Sequence, residues 1–487
     1  MPRPPDPGGA TNSDRRTDTL DASCAFACTA VGTRFRDLPV STVQATKMDM
    51  LDYLGCVLGG SASAGVPEVV DLARDLGGRP EASVFVHGGK VGLLDACLAN
   101  GAMAHALDYD STHEIAHLHP SVSTISAALT LADQMGGVSG KDFLTSVALG
   151  TDMVSRLGLA WPAYPAGFIW TLVYGFFGCA LAAGKLLALT EEQMTHALGL
   201  AYAQAAGNQQ TNLDGAVAKR MGIGFAARGG VLSALMAARG ITAARNALEG
   251  KRGLYATYNQ GRYDPVALTD GIGQRFEGDR LSFKPYPTCR FNHGHIDAAL
   301  ALAVEHDLRA EEIEAVVAHV EREEHSQFDP LEVKRNPRTL VDAQFSMPYT
   351  VAVALVRRRM KIEDFTPEAI RDPEVIGVAN KVSPLVDPSL DAHVPAAAVL
   401  EVRTRRGTFT KRVEYPLGHP LNPVDWADLA DKTRDCATHA AVPVSSDRVE
   451  AMIALVARLE TLRDMRELTA LLREDPAVAR VQERVAG

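Results

Sequence analysis

Apolar residues recur every three to four positions through most of the first half of the chain. Over residues 42–55 and 67–76 that spacing predicts amphipathic helices. Residues 121–135 follow Pro120 and carry Ile125, Ala128, Leu129 and Leu131, which predicts another. Residues 189–206 open at Thr190-Glu-Glu-Gln, an N-cap with acids in the first turn. Residues 224–239 read as a small-residue helix ending at Gly240. The period changes near Phe276. Residues 313–320 alternate as Ile-Glu-Ala-Val-Val-Ala-His-Val, a strand pattern. Residues 399–403 and 408–415, around a turn at Arg406-Gly407, predict a hairpin. Helical spacing returns over 348–358 and, after the turn-rich stretch 418–423, over 425–472.

Residues 157–184 contain no charged side chain, which passes the ~18-residue length test for a membrane span. Pro162, Pro165 and Gly167 interrupt the run, and the part that follows is rich in Gly and Ala. A helix buried on all sides is therefore expected, with no membrane partner.

Composition narrows the class. Of 487 residues, 46% are hydrophobic and 22% charged, which excludes a disordered chain, a collagen-like repeat and a disulfide scaffold. At ~150 residues per domain the length fits three units or two large ones. Lys+Arg number 49 against Asp+Glu 59, a net charge of −10. Without a long basic block, such a chain is a poor nucleic-acid binder. The seven cysteines show no paired zinc spacing and no exported disulfide framework, so reduced thiols in the cytoplasm are expected. Residues 1–18, rich in Pro and Gly, lack the apolar stretch of a signal peptide and read as a disordered tail.

Three polar clusters carry candidate chemistry. The first runs from His105 through Asp108, Asp110, Ser111, Thr112, His113, Glu114, His117 and His119 to Ser121. A solvated loop holds a few such residues by chance, whereas this density beside an apolar helix points to a site. Histidine takes and gives protons near neutral pH, and a neighbouring carboxylate fixes its tautomer. Inside it, His113-Glu114-Ile-Ala-His117 matches the zinc-hydrolase pattern, which works only on a helix with a third ligand. A zinc-dependent hydrolase using His113, Glu114 and His117 is thus an alternative, as is an ad hoc site of His113, His117 and His119.

The second cluster is Lys219-Arg220, just before Gly222-Ile-Gly224-Phe-Ala-Ala227. The glycine pattern has no strand before it, so close helix packing is favoured over dinucleotide binding. The cations at a helix start suit a carboxylate or phosphate, with a solvated basic pair as the plain alternative. The third is Lys284-Pro-Tyr286-Pro-Thr-Cys289-Arg290-Phe-Asn-His293-Gly-His295. One extended loop there presents Lys, Cys, Arg and His at a domain junction, where ligand sites concentrate.

In this order the clusters resemble the MmgE/PrpD family, which includes 2-methylcitrate dehydratases, cis-aconitate decarboxylases and iminodisuccinate epimerases. The resemblance rests on Asn100-Gly101 with His105-Ala-Leu-Asp108-Tyr-Asp110, then Thr112 and His119-Pro120-Ser121. It continues through Lys219, Gly224-Phe-Ala-Ala and Gly240 to Lys284-Pro-Tyr-Pro-Thr-Cys289 with His293. Asp342-Ala-Gln-Phe-Ser-Met-Pro-Tyr349 and Asn422-Pro423 complete it.

The resemblance implies a mainly α fold. A large all-helical domain would be built from residues 19–275 and 416–487, with a smaller α+β lid domain inserted at 276–415. It implies a homodimer without metal or organic cofactor. It places the pocket at Asp108, Thr112, His119, Lys219, Lys284, Cys289, His293 and Tyr349. Three positions depart from the family's decarboxylases, where histidines stand at the loop reading Ile169-Trp170, at Gly222 and at Cys289. Ser111 also replaces a common Asp. The departures argue against cis-aconitate decarboxylase and for a substrate with an apolar portion against Trp170.

The implied chemistry is cofactor-independent proton movement at a carbon next to a carboxylate of a small anionic substrate. The enzyme would be a lyase of the dehydratase type or an isomerase of the epimerase type. Lys219, Lys284 and Arg290 would hold carboxylates and stabilise enolate-like charge. His119 would be the general acid/base with Asp108 orienting it, Cys289 a second acid/base or a lining residue, and Tyr349 a donor. Thr112, His293 and Trp170 would complete the binding surface. A non-catalytic binder on the same fold is the remaining alternative.

Overall fold

The computed structural model describes residues 21–161, 167–322, 324–390 and 397–473. The expected tail at 1–18, Pro162 and Pro165 lie outside the described residues. The 3.6-residue spacings become helices Val40–Gly60, Val66–Asp75 and Val122–Met135. Glu191–Tyr202 starts at a capping box: the Thr190 hydroxyl accepts from the Gln193 amide, and the Gln193 side chain accepts from the Thr190 amide. The uncharged run yields Trp170–Leu186, almost wholly buried.

Small residues let these helices touch. Ala218–Ala238 packs against Leu93–His105 and Trp170–Leu186. A Cβ on Gly224 would lie 2.2 Å from the Leu98 carbonyl oxygen, and one on Gly101 2.7 Å from the Gly224 Cα. The glycine pattern at 222–227 therefore serves packing. The helix begins earlier than the sequence reading placed it, so Lys219 and Arg220 lie inside its first turn. By length and composition Ala218–Ala238 is also apolar enough to cross a membrane, but most of it is buried in this packing.

The strands are β1 (Ala82–Ser83), β2 (Lys90–Val91), β3 (Thr112–His113), β4 (Leu281–Ser282), β5 (Ile313–Val320), β6 (Val382–Val386), β7 (Ala398–Thr404) and β8 (Gly407–Val413). Both β1–β2 and β3–β4 are antiparallel pairs, and the remaining four form one sheet in the order β6-β5-β7-β8. Within it β5 runs parallel to β6 and antiparallel to β7, and β7–β8 is the expected hairpin.

Buried apolar side chains fall into a large cluster, drawn from residues 22–283 and 424–472, and a smaller one from 286–402. The expected all-helical domain with an inserted lid is corrected. The fold is mixed, mainly helical with small sheets, and β1–β2 and β3 lie within the stretch expected to be helical throughout. Their strands are only two residues long, too short to leave a period-2 signal.

Candidate active site

The β3–β4 pairing brings the first and third polar clusters together. Thr112 pairs with Ser282 and His113 with Leu281, which lays the 105–119 segment beside the loop that begins at Lys284. Lys432, on the returning helix Trp426–Ala437, ties the back of this junction. Its ammonium donates to Asp52 Oδ1 at 2.7 Å, to the Tyr109 carbonyl at 2.7 Å and to the Lys284 carbonyl at 3.0 Å.

Around the junction lies a cavity of about 110 Å3. His105, Asp108, Thr112, His119, Lys219, Cys289 and Arg290 line it, with Phe168, Trp170, Phe291 and Phe345 as apolar walls. Asp110, which is not itself on the wall, bridges the imidazoles of two lining residues. Asp110 Oδ1 lies 2.8 Å from His105 Nδ1, and Oδ2 lies 2.8 Å from His119 Nδ1. The second contact is an ion-pair approach without the alignment of a hydrogen bond. Lys219 Nζ donates to His105 Nε2 at 2.8 Å, which fixes the His105 proton on Nδ1. Burial, with the Lys219 charge adding to it, lowers the His105 pKa to about 4, so this ring is neutral.

His119 differs from His105 in what meets its ring. Its backbone amide is anchored on Thr171 Oγ1 at 3.0 Å, and its side chain keeps 16% exposure toward the cavity. The Asp110 carboxylate beside Nδ1 favours the proton there and leaves Nε2 as the basic nitrogen. The carboxylate in contact with His119 is thus Asp110, rather than Asp108 as the sequence reading had it.

Asp108, held at φ 52°, sits between two ammonium groups. Lys219 Nζ contacts Oδ1, while Lys284 Nζ donates to Oδ2 at 2.8 Å and to the Asp108 carbonyl at 2.7 Å. Burial pushes this carboxyl up, but the two lysines outweigh it and hold it well below the usual range. Asp110 is likewise held low by the two histidines against its own burial. Glu114 is held low, against burial, by Arg290, whose Nε lies 2.7 Å away.

The expected cationic pocket is therefore balanced. Lys284 belongs to Asp108 and does not line the cavity, Arg290 is paired with Glu114, and Arg220 faces elsewhere.

Other expected residues divide in the same way. Thr112 and Trp170 line the cavity. Cys289 does too, and burial raises its thiol to about 11, so it enters any reaction protonated. His293 does not line it: its Nδ1 lies 3.2 Å from Arg290 Nη1 and its Nε2 3.2 Å from the Thr288 carbonyl. Tyr349 is also not brought there, because its buried hydroxyl donates to the Asp364 carbonyl. From that segment Phe345 lines the cavity instead, 5.0 Å beneath the Lys219 ammonium. Among the described residues, the lining residues with buried donors that lack a hydrogen-bond partner include Thr112 (Oγ1), His113 (Nε2), Trp170 (Nε1) and Arg290 (Nη2).

The zinc-hydrolase alternative fails on local geometry. His113 lies in β3 and donates its amide to the Leu118 carbonyl at 2.8 Å, and His117 is left-handed at φ 51°, so the motif is not helical. Glu114 is committed to Arg290. His105, Asp110 and His119 do bring ligand atoms within 4.8 Å of one another. Lys219 already occupies His105 Nε2, and both Nδ1 atoms are turned to Asp110.

Residues 25–265 match the MmgE/PrpD N-terminal domain and residues 286–459 the MmgE/PrpD C-terminal domain. A cis-aconitate decarboxylase of Aspergillus terreus is 28% identical over 90% of this chain and 92% of its own length. A cis-aconitate decarboxylase of Mus musculus is 26% identical over 92% and 93%, and one of Homo sapiens 28% over 78% and 79%. The inference against cis-aconitate decarboxylase, drawn from Trp170, Gly222 and Cys289, is overturned: relatives aligned over nine-tenths of the chain carry that name. Three substituted positions say less about activity than the alignment of the remaining chain. The chain belongs to the MmgE/PrpD family.

Proposed function

We propose that the protein is a cofactor-independent lyase that moves a proton at the carbon next to a carboxylate of a small polycarboxylate. The observation that carries this reading is the set of unpartnered buried donors on residues that line one cavity with His119, among them Thr112 Oγ1, Trp170 Nε1 and Arg290 Nη2. Buried donors are usually satisfied, and unpartnered ones on residues that line a cavity suit a ligand rich in acceptor oxygens. His119 takes or gives the proton through Nε2, and Asp110 stabilises the imidazolium that forms. Lys219 faces the developing enolate-like charge. The phenylalanines and Trp170 suit a substrate with an apolar portion. Cis-aconitate, named in the relatives, is the first candidate.

Loss of a carboxyl group or of a hydroxyl group are the lyase outcomes. Epimerisation at the same carbon is a second reading, favoured by Cys289, a protonated thiol lining the same cavity as His119. In keeping with the family resemblance, we take the protein to act as a cytoplasmic homodimer.

The test is a panel of di- and tricarboxylates, cis-aconitate included, followed by proton NMR in deuterated water. New product, or deuterium entering next to a carboxylate, supports the reading. Tight binding without any turnover or exchange would make the chain a non-catalytic binder instead.

A further inference from the structure

Lys219 and Arg220 are consecutive residues of one helical turn, yet they serve different cavities. Arg220 faces a second cavity of about 300 Å3, with Arg338 and Arg371 also on its wall. Ala64 and Arg220 come from the stretch that builds the larger apolar core, and Arg338, Ile370 and Arg371 from the stretch that builds the smaller one.

Its charge is unbalanced. Arg220 is only 3% exposed, and a buried charge is normally paired. Here Nη1 donates to the Ala64 carbonyl at 2.8 Å, and Nε has no partner. Burial is the sole influence on its pKa, which it lowers, with no carboxylate to offset it. Arg338 and Arg371 are exposed and make no ion pair among the described residues. Asp342, four residues after Arg338, accepts instead from the backbone amides of Arg338 and Thr339, at 3.2 and 3.0 Å.

We propose that this cavity is a second anion-binding site, separate from the catalytic one, that takes a small oxyanion carrying two or more charges. Three arginines contribute to the wall of one opening, and an anion there would offset their mutual repulsion. Their planar forks suit both carboxylate and phosphate oxygens. Because the walls come from the two parts of the chain that build separate cores, a bound anion ties those parts together and raises the melting temperature. This site does not depend on which reaction the catalytic cavity performs.

The experiment is isothermal titration of the full chain with inorganic pyrophosphate and, separately, with citrate, at constant ionic strength. Wild type is compared with the double variant Arg338→Glu/Arg371→Glu, and with Arg338→Gln/Arg371→Gln if the charge reversal disturbs folding. Lys219→Met serves as the control for the catalytic cavity. The expected result is a binding component that weakens at least tenfold in the double variant, persists in Lys219→Met, and raises the melting temperature only where it binds. If only pyrophosphate shows it, the ligand is a phosphate; if only citrate does, a carboxylate. Either supports the site. No binding of either anion to wild type, a change below tenfold in the double variant, or a component lost only in Lys219→Met overturns it.

Discussion

Two polar segments meet at the candidate site, and they play unequal parts. Segment 105–119 supplies lining groups, His119 and Thr112, and behind them Asp110, which bridges two imidazoles. Segment 284–293 mostly supplies props: Lys284 holds Asp108, Arg290 holds Glu114, and His293 stands against Arg290. Both segments look equally reactive by residue type. Burial, partners and access separate them: Lys219 and Lys284 both pair with Asp108, but only Lys219 also lines the cavity.

The contrast breaks most readily at Lys284. Lys284→Met leaves Asp108 charged with Lys219 as its remaining cation, so the loss is that of a charged buried hydrogen bond and unfolding free energy falls by about 2–3 kcal/mol. Urea denaturation checks this, and a loss below about 1 kcal/mol would mean that Lys284 is free for substrate.

Gly224→Ala drives a methyl group onto the Leu98 carbonyl oxygen and costs about 1–3 kcal/mol. The same assay reads it, and a neutral result would return the glycine pattern to a ligand role.

Asp49 sharpens the picture of what lies behind Asp110. Its buried carboxyl, bonded by Ser111 and Ser121, is raised by burial from 3.8 to about 7. The stability it contributes is full below pH 3.8 and is lost as pH rises through about 7, because the unfolded chain ionises first. Asp49→Asn should flatten that decline, so that the variant gains on wild type between pH 4 and 7 in urea midpoints. Parallel curves would remove Asp49 from the account.

The smallest effect is expected at the abandoned zinc motif. His113→Ala should keep turnover within about tenfold, since His113 Nε2 faces Glu277 at 3.7 Å rather than a reacting atom. Stoichiometric zinc in the purified protein, or complete loss of turnover, would revive that motif.

The periodic elements were legible in the chain. β5, the hairpin and the long helices follow from spacing, and the residues at 105–119 announced a site by density alone. The props were not legible, for a physical reason. Lys432 lies in a helix as charged as any surface helix, and its partners Asp52, Tyr109 and Lys284 are remote in sequence. Tyr349 stood in a motif beside the residue that does reach the cavity, Phe345, but the helix from Met347 turns it into the smaller core. Motif membership located the segment; the helix phase decided which side chain faces the ligand.

The central claim is that segment 105–119, through His119, moves the proton. Its most direct test is the rate of deuterium incorporation from solvent into whichever polycarboxylate wild type processes, compared with His119→Ala and Cys289→Ser. Loss of at least about a thousandfold in His119→Ala, with Cys289→Ser within tenfold for a lyase, is the predicted result. Retained exchange in His119→Ala would contradict it.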